Sequence, residues 1–184
     1  MSLTPPTPAE HAPYYGKYVE MAARDVAALD GGSLPDLLTV QTVTLHGLLD
    51  GIDDGFARKS YAPGKWTLAE SLVHVADTER VFSYRLLRVA RGDSTPLPGF
   101  EQDQWVPLSG ANGRPPSDIL IEIDVVRAAT LALVHSLDDS ALMRTGTASG
   151  NPVSVRALVW IIAGHFAHHL EITRDRYLGT PARS

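Results

Sequence analysis

Between Leu34 and Ile52 the apolar residues Leu34, Leu37, Leu38, Leu45, Leu48, Leu49 and Ile52, with Gln41 among them, recur at i, i+3, i+4 and i+7. That spacing draws one buried stripe along an α-helix. Ser33 is placed to cap it, Pro35 suits its first turn, and the helix should end near Gly55. A shorter helix is expected before it, from Tyr14 to Leu29, on the spacing of Tyr18, Met21, Ala22, Val26 and Leu29, stopped by Gly31 and Gly32. After it, Thr67-Leu-Ala-Glu70 has the form of a capping box, in which hydroxyl and carboxylate each satisfy an otherwise unpaired backbone donor. It opens a helix to about Arg91, which Gly92 stops.

Residues 92–116 then carry Pro96, Pro98, Gly99, Pro107, Gly110, Gly113, Pro115 and Pro116. A connection this long is usually functional or disordered. Ser117 is expected to cap the next helix, through Leu137, with a stripe of Ile119, Ile123, Val126, Thr130, Leu133, Val134 and Leu137 and an opposite face polar enough to meet water. Asn151-Pro-Val-Ser154 introduces a last helix to about Leu178, followed by the stop signal Gly179-Thr180-Pro181. No stretch alternates as a strand would. The expected class is therefore all-α: an antiparallel four-helix bundle with an additional short N-terminal helix and a long loop between the second and third bundle helices. Residues 1–13, with four prolines, read as an arm lying on the surface or disordered, and 14–184 as a single helical domain.

Composition narrows the function classes. With 44% hydrophobic and 20% charged residues over 184 positions, the chain has the profile of a globular protein. A net charge of −5 argues against nucleic acid as partner, since tracking phosphates needs massed lysine and arginine. No run of ~18 apolar residues occurs, so no membrane partner is expected. The N-terminus lacks the pattern of a signal peptide, which leads to the expectation of a cytoplasmic protein. There is no cysteine, so a metal would be held by histidine, carboxylate or water, and no protein thiol can be a nucleophile.

The histidines carry the candidate chemistry. On the last helix the stripe Val155, Leu158, Ile162, His165, His169 and Ile172 falls within roughly 100° of arc, with both histidines near its centre. At i and i+4 their side chains stack about 6 Å apart, a spacing at which two imidazoles can close on one ion. Side by side without a metal, both would need hydrogen-bond partners and neither could be charged cheaply. His168 lies ~80° off the stripe and reads as a rim residue. His46 and His135 read as surface or rim residues, and His11 has no functional case. His74 points ~150° away from the stripe Leu68, Leu72, Val75, Glu79, Phe82, Leu86 and Ala90, so periodicity alone places it in solvent.

Four strings add to this: Lys65-Trp66-Thr67, Leu72-Val73-His74-Val75-Ala76-Asp77-Thr78-Glu79-Arg80, Leu97-Pro98-Gly99-Phe100 and Gly164-His165-Phe166-Ala167-His168-His169. Together they resemble the DinB-like superfamily, particularly its YfiT-like branch of metal-dependent hydrolases, over about residues 15–178. The resemblance implies a four-helix bundle and a triad of metal ligands at His74, His165 and His169, with zinc or nickel as the cofactor and water in the open positions. Phe166 departs from the pattern, because relatives are expected to carry a polar or acidic residue there, and this puts a general base at that position in doubt. A metal at the edge of the bundle, in a cleft, would reconcile His74 with its wheel position. Phe100, Glu101, Asp103 and Trp105 would then fold over the opening as a lid, unless the 92–116 loop merely covers the bundle end.

Three neutral imidazoles leave a divalent ion its full charge and an open position, which lowers the pKa of bound water toward ~7. Hydrolysis of a small-molecule substrate is the leading expectation. Such an ion equally favours the thiolate of a thiol substrate, so a thiol S-transferase or thiol-dependent isomerase stays open. A metal-stabilised bundle without catalysis, or a stress-related binding protein, is the non-enzymatic alternative, and a homodimer is left open. No general base is assignable: Glu70 reads as a capping residue, and Glu79 as a group that orients a ligand or pairs with an arginine. Arg80, Arg85, Arg88 and Arg91 read as a solvated face with acidic neighbours rather than an anion guide.

Overall fold

The long helices expected from periodicity are present in the computed structural model, which describes residues 3–179. Helix α1 spans Gly16–Ala27 and α2 spans Leu34–Leu49, capped by Ser33 in a box with Asp36. The continuation toward Gly55 is not one helix: the chain turns at Asp50–Gly51, where Gly51 has φ +74°, and restarts as the single turn α3, Asp54–Ala57. Helix α4, Leu68–Ala90, begins at the predicted box, with Thr67 Oγ1 accepting from Glu70 N at 3.1 Å and Glu70 Oε2 accepting from Thr67 N at 2.8 Å.

The 92–116 segment is ordered by short turns, among them α5, Gln102–Trp105. Helix α6, Pro116–His135, starts two residues earlier than expected, with Pro116 at the first position and Ser117 inside the first turn rather than capping it. A proline loses nothing there, because that N–H would be unpaired anyway. Its outer face is also less polar than expected: Ile121 and Val125 are 61% and 64% exposed. A single turn, α7, Asp139–Leu142, leads to the feature the sequence did not suggest, an antiparallel hairpin of β1, Thr145–Ala148, and β2, Asn151–Ser154. Its two-residue turn places Ser149 and Gly150 at φ 51° and 74°, the twist-matched geometry of a tight hairpin. Helix α8, Val155–Ile172, is capped by Ser154 and runs on through a wider turn, Thr173–Tyr177. Thr180 and Pro181 of the expected stop signal lie outside the described residues. No helix among the described residues is long and apolar enough to cross a membrane.

The bundle helices are α2, α4, α6 and α8, and their neighbour pairs are α2–α6, α6–α4, α4–α8 and α8–α2. Of the pairs consecutive in the chain, α4 and α6 thus lie side by side, whereas α2 and α4, and α6 and α8, lie diagonally. The connections after α2 and α6 must therefore cross an end of the bundle, whereas the long segment after α4 joins two neighbours. Helix α1 lies against α8. Their approach is set by Gly164, where a Cβ would sit 1.9 Å from the carbonyl oxygen of Tyr18. An Arg24–Glu171 ion pair at 2.8 Å ties the same two helices.

The N-terminal arm is pinned to the start of α8. Arg156 Nη2 donates to Glu10 Oε2 at 2.6 Å, Ser154 Oγ to Glu10 Oε1 at 2.9 Å, and Arg156 Nη1 to Thr4 Oγ1 at 2.9 Å. Burial alone would raise the Glu10 pKa, but these bonds and those from Thr7 prevail and hold it at about 2. Within the arm, His11 and Ala12 are themselves buried.

Candidate metal centre

The two α8 histidines face α4, and His74 faces back. One ring nitrogen from each of His74, His165 and His169 lies within 4.8 Å of the others, and the Nε2 atoms of His74 and His165 are 3.2 Å apart. Metal–nitrogen bonds of ~2.0–2.1 Å separate two ligand nitrogens of a tetrahedral site by roughly 3.3 Å, so this pair already has the spacing of two ligands of one ion. Exposures of 4%, 6% and 9% place all three at the margin of the core.

The expectation that His74 points into solvent is overturned. A wheel assumes one buried face, yet Leu68, Ala69, Ser71, Leu72, Val73, His74, Val75 and Ala76 are all buried. The first turns of α4 are enclosed on every side, by α6, α8, α3 and the turns around Val106–Gly113. The face toward α8 is a second buried face, and it carries His74.

Two hydroxyls one turn away from His74 on α4 orient the rings. Ser71 Oγ lies 3.1 Å from Nδ1 of His169, and Thr78 Oγ1 lies 3.3 Å from Nδ1 of His74. An imidazole whose Nδ1 proton is engaged presents an unprotonated Nε2, the form a metal requires. Electrostatics point the same way. Burial, opposed in part by the charge of Asp103, lowers the His74 pKa to about 4. Burial first, and then the neighbouring imidazoles, push His165 and His169 well below the usual value. Three rings held neutral with converging lone pairs are a donor set suited to a divalent cation.

The triad lines an open cleft of about 1030 Å³. Three walls enclose it. Helix α1 and the turn before it give Tyr14, Tyr15, Lys17 and Tyr18; the segment before α4 gives Tyr61, Lys65 and Trp66; the loop after α4 gives Phe100, Glu101, Gln102 and Asp103. The edge of Tyr18 packs on His165 with centroids 5.6 Å apart, and Trp66 packs on His74 at 4.8 Å. The third wall is fastened at its base: Leu97 bridges the hairpin through Leu97 N to Thr147 O at 2.9 Å and Ser149 N to Leu97 O at 3.0 Å. Arg85 Nη2 donates to Pro98 O at 2.8 Å and to Ser149 Oγ at 3.0 Å. Of the expected lid residues, Phe100, Glu101 and Asp103 line the cleft, while Trp105 supports Phe100 from behind at 5.1 Å.

The remaining candidates resolve by their partners. Glu70 is spent on the cap and on Asn112 Nδ2 at 2.9 Å. Glu79 pairs with an arginine, as one of its two expected roles had it, but that arginine is Arg127 in the core. Phe166 lies over the Arg127 guanidinium at 4.5 Å and not on the cleft, so its position could not have supplied a base. Arg80 and Arg88 pair with Asp77 and Asp93 as a solvated face would. Arg85, in contrast, is 2% exposed and holds the cleft wall. His46 is exposed and paired with Asp124 at 2.8 Å, and His135 is exposed. His168 is half-buried on the cleft rim beside Tyr18. Ser71, Thr78 and Arg127 were missed by sequence reasoning, although Ser71 and Thr78 stand at i−3 and i+4 from His74, where a ring's partners should be sought.

A four-helix bundle with three buried imidazoles converging on an open cleft defines a class of histidine-site bundle proteins. Residues 37–173 match the profile of the DinB superfamily, and the chain belongs to that family. A protein of Oceanobacillus iheyensis named "putative metal-dependent hydrolase" is 25% identical over 138 residues, which span 73% of this chain and 79% of that one. A Geobacillus kaustophilus protein with the same description is 26% identical over 129 residues, 68% of this chain and 71% of its own. YfiT from Bacillus subtilis, whose structure is described as that of "a probable metal-dependent hydrolase with an unusual four-helix bundle topology", superposes with a TM-score of 0.68. That match covers 96% of this chain and 94% of YfiT at 16% identity, and establishes the shared fold.

Proposed function

We propose that His74, His165 and His169 hold one divalent metal ion, zinc or nickel, and that the protein is a metal-dependent hydrolase of a small molecule bound in the cleft. The observation that carries this reading is the ligand count: among the described residues no fourth histidine or carboxylate joins the triad, and the triad opens on the cleft. A structural site is closed by four protein ligands, whereas a catalytic one leaves a position for water or substrate. When bound, the ion would supply Lewis-acid polarisation and a water of lowered pKa.

The chain's own residues do the rest. Ser71 and Thr78 hold two of the rings in the ligating tautomer. Tyr18 and Trp66 shield the rings from bulk water on two sides. Glu70 and Glu79 are engaged elsewhere, which leaves the loop carboxylates; Asp103, whose charge acts on His74, is the group placed to take up a proton at its carboxylate oxygen.

The same donor set favours a thiolate. Three neutral nitrogens with no carboxylate leave the site fully cationic, so a thiol S-transferase or thiol-dependent isomerase is the second reading. Elemental analysis of the native protein, purified without nickel affinity, tests the first premise, with about one zinc or nickel per chain expected. Substoichiometric metal throughout would overturn it. An ester and amide panel, run beside low-molecular-weight thiols with an electrophile, separates the two activities.

A further inference from the structure

The cleft walls carry charges that no neighbour neutralises. Lys17 and Lys65 stand on the first two walls, and Glu101 stands with Asp103 on the third. Among the described residues none of these four has an ion-pair partner, whereas Arg24, Arg80, Arg88, Arg114 and Arg174, none of which lines the cleft, are all paired. Lys17 lies over the ring of Tyr18 at 4.7 Å, an arrangement that holds the ammonium in place without discharging it.

Between the charged walls the surface is aromatic, with Tyr14 and Tyr61 still 53% and 40% exposed. A volume of about 1030 Å³ is at the upper end of the range for small-molecule sites, roughly 300–1,000 Å³. The cleft is thus too large for a single amino acid, whose two charges sit on one carbon and could not meet two walls at once. A polyanion would meet Glu101 and Asp103, and a simple cation would meet the lysines.

We propose that the cleft binds a peptide-like zwitterion of two or three residues, its carboxylate toward Lys17 and Lys65, its ammonium toward Glu101, and its apolar side chain against the tyrosines. This rests on and deepens the reading of the triad as the reactive floor, since the three imidazoles line the same cleft as the charged walls. Charge recognition, unlike chemistry, does not require the metal.

The test uses isothermal titration calorimetry on metal-free full-length protein with three probes: glycyl-L-phenylalanine, its N-acetyl form and its C-terminal amide. Omitting the metal prevents chelation by the probe from imitating binding. The free dipeptide should bind at least about tenfold more tightly than either blocked form. Lys17→Gln with Lys65→Gln should reduce the dipeptide to the affinity of the amide and leave the amide unchanged. Glu101→Gln should reduce it to the affinity of the N-acetyl form and leave that form unchanged. Equal affinities for the three probes, equal losses across them in the variants, or no saturation by about 10 mM would each overturn the proposal. Metal content of the native protein is measured separately. A metal-poor protein that still ranks the probes as expected removes the hydrolase reading alone, and a metal-replete protein indifferent to probe charge removes the zwitterion alone.

Discussion

Glu79 and Arg127 form a two-armed ion pair inside the bundle, with Nη2 to Oε2 at 2.7 Å and Nε to Oε1 at 2.8 Å, and with side-chain exposures of 5% and 2%. The remaining guanidinium arm donates to Leu38 O at 2.6 Å and Gln41 Oε1 at 3.2 Å, and Gln41 Nε2 donates to Ala163 O at 2.8 Å. One polar network therefore joins α4, α6, α2 and α8, with Ala163 two residues before His165. Breaking a buried pair on one side strands a charge. Arg127→Met should cost about 3–5 kcal/mol, and the double variant Arg127→Met with Glu79→Leu clearly less. Urea unfolding of the two proteins measures this, and a single-variant cost below about 1 kcal/mol would show that the pair is not holding the helices.

The ligand assignment predicts a sharp separation between metal and fold. His165→Ala or His169→Ala should abolish stoichiometric metal binding while leaving the helical far-UV signal largely intact, because each ring lies at the cleft margin and not in the packed interior. Inductively coupled plasma analysis of dialysed protein reads the metal. Full retention in either variant would remove that residue from the triad.

Ser71 and Thr78 allow the orienting role to be tested apart from ligation. Ser71→Ala and Thr78→Ala delete hydroxyls that face Nδ1 of His169 and His74 but leave every donor nitrogen in place. Each should weaken metal affinity by about 10- to 100-fold at unchanged stoichiometry. Competition with a chelator of known affinity gives the number, and wild-type affinity in both variants would mean that the hydroxyls only fill space.

How much of this was readable in the chain depended on whether one buried face was enough to describe a helix. His165 and His169 share the single stripe of α8, so their spacing announced them. His74 did not announce itself, because α4 is enclosed on every side near its start and its second buried face has no apolar stripe to mark it. Arg127 does fall on the α6 stripe, four residues after Ile123 and three before Thr130, but a charge there reads as a break until Glu79 is found opposite. The hairpin was invisible for a different reason. Gly146, Ala148, Asn151 and Pro152 have poor strand propensity, and the pairing is local, set by the Ser149–Gly150 turn, with Ala148 and Val153 too few to mark its buried face as an alternating pattern.

Gly164 makes a steric prediction. A methyl group there would meet the Tyr18 carbonyl at 1.9 Å, and that neighbour is backbone that cannot rotate away. Gly164→Ala should displace α1 from α8, removing Tyr18 and Lys17 from the cleft, at a cost on the order of 3 kcal/mol. Gly47→Ala is the matched control: it lies in α2 with nothing within 4 Å of the added carbon, so helix propensity should make it neutral or stabilising by about 0.5–1 kcal/mol. Limited proteolysis near Arg24 reports the detachment. Equal stability of the two variants would mean that the helix contact is softer than its geometry.

The triad also sets a pH dependence with a definite sign. An unfolded chain titrates its histidines near ~6.5, whereas burial lowers His74 to about 4 and holds His165 and His169 well below the usual value. Between those limits the unfolded state binds protons that the native state refuses, so the stability of the metal-free protein is full above about pH 6.5 and is lost as pH falls through the folded values. His74 alone corresponds to about 3–4 kcal/mol over that window, taking ~1.4 kcal/mol per unit. Bound metal competes with the same protons, so metal affinity should fall over the same range. Thermal unfolding of metal-free protein from pH 7.5 to 4.5 measures the slope. Replacing all three histidines with glutamine should flatten it above pH 5, since Glu10, held at about 2, contributes its loss only at lower pH. A slope unchanged by that replacement would place the acid sensitivity outside the triad.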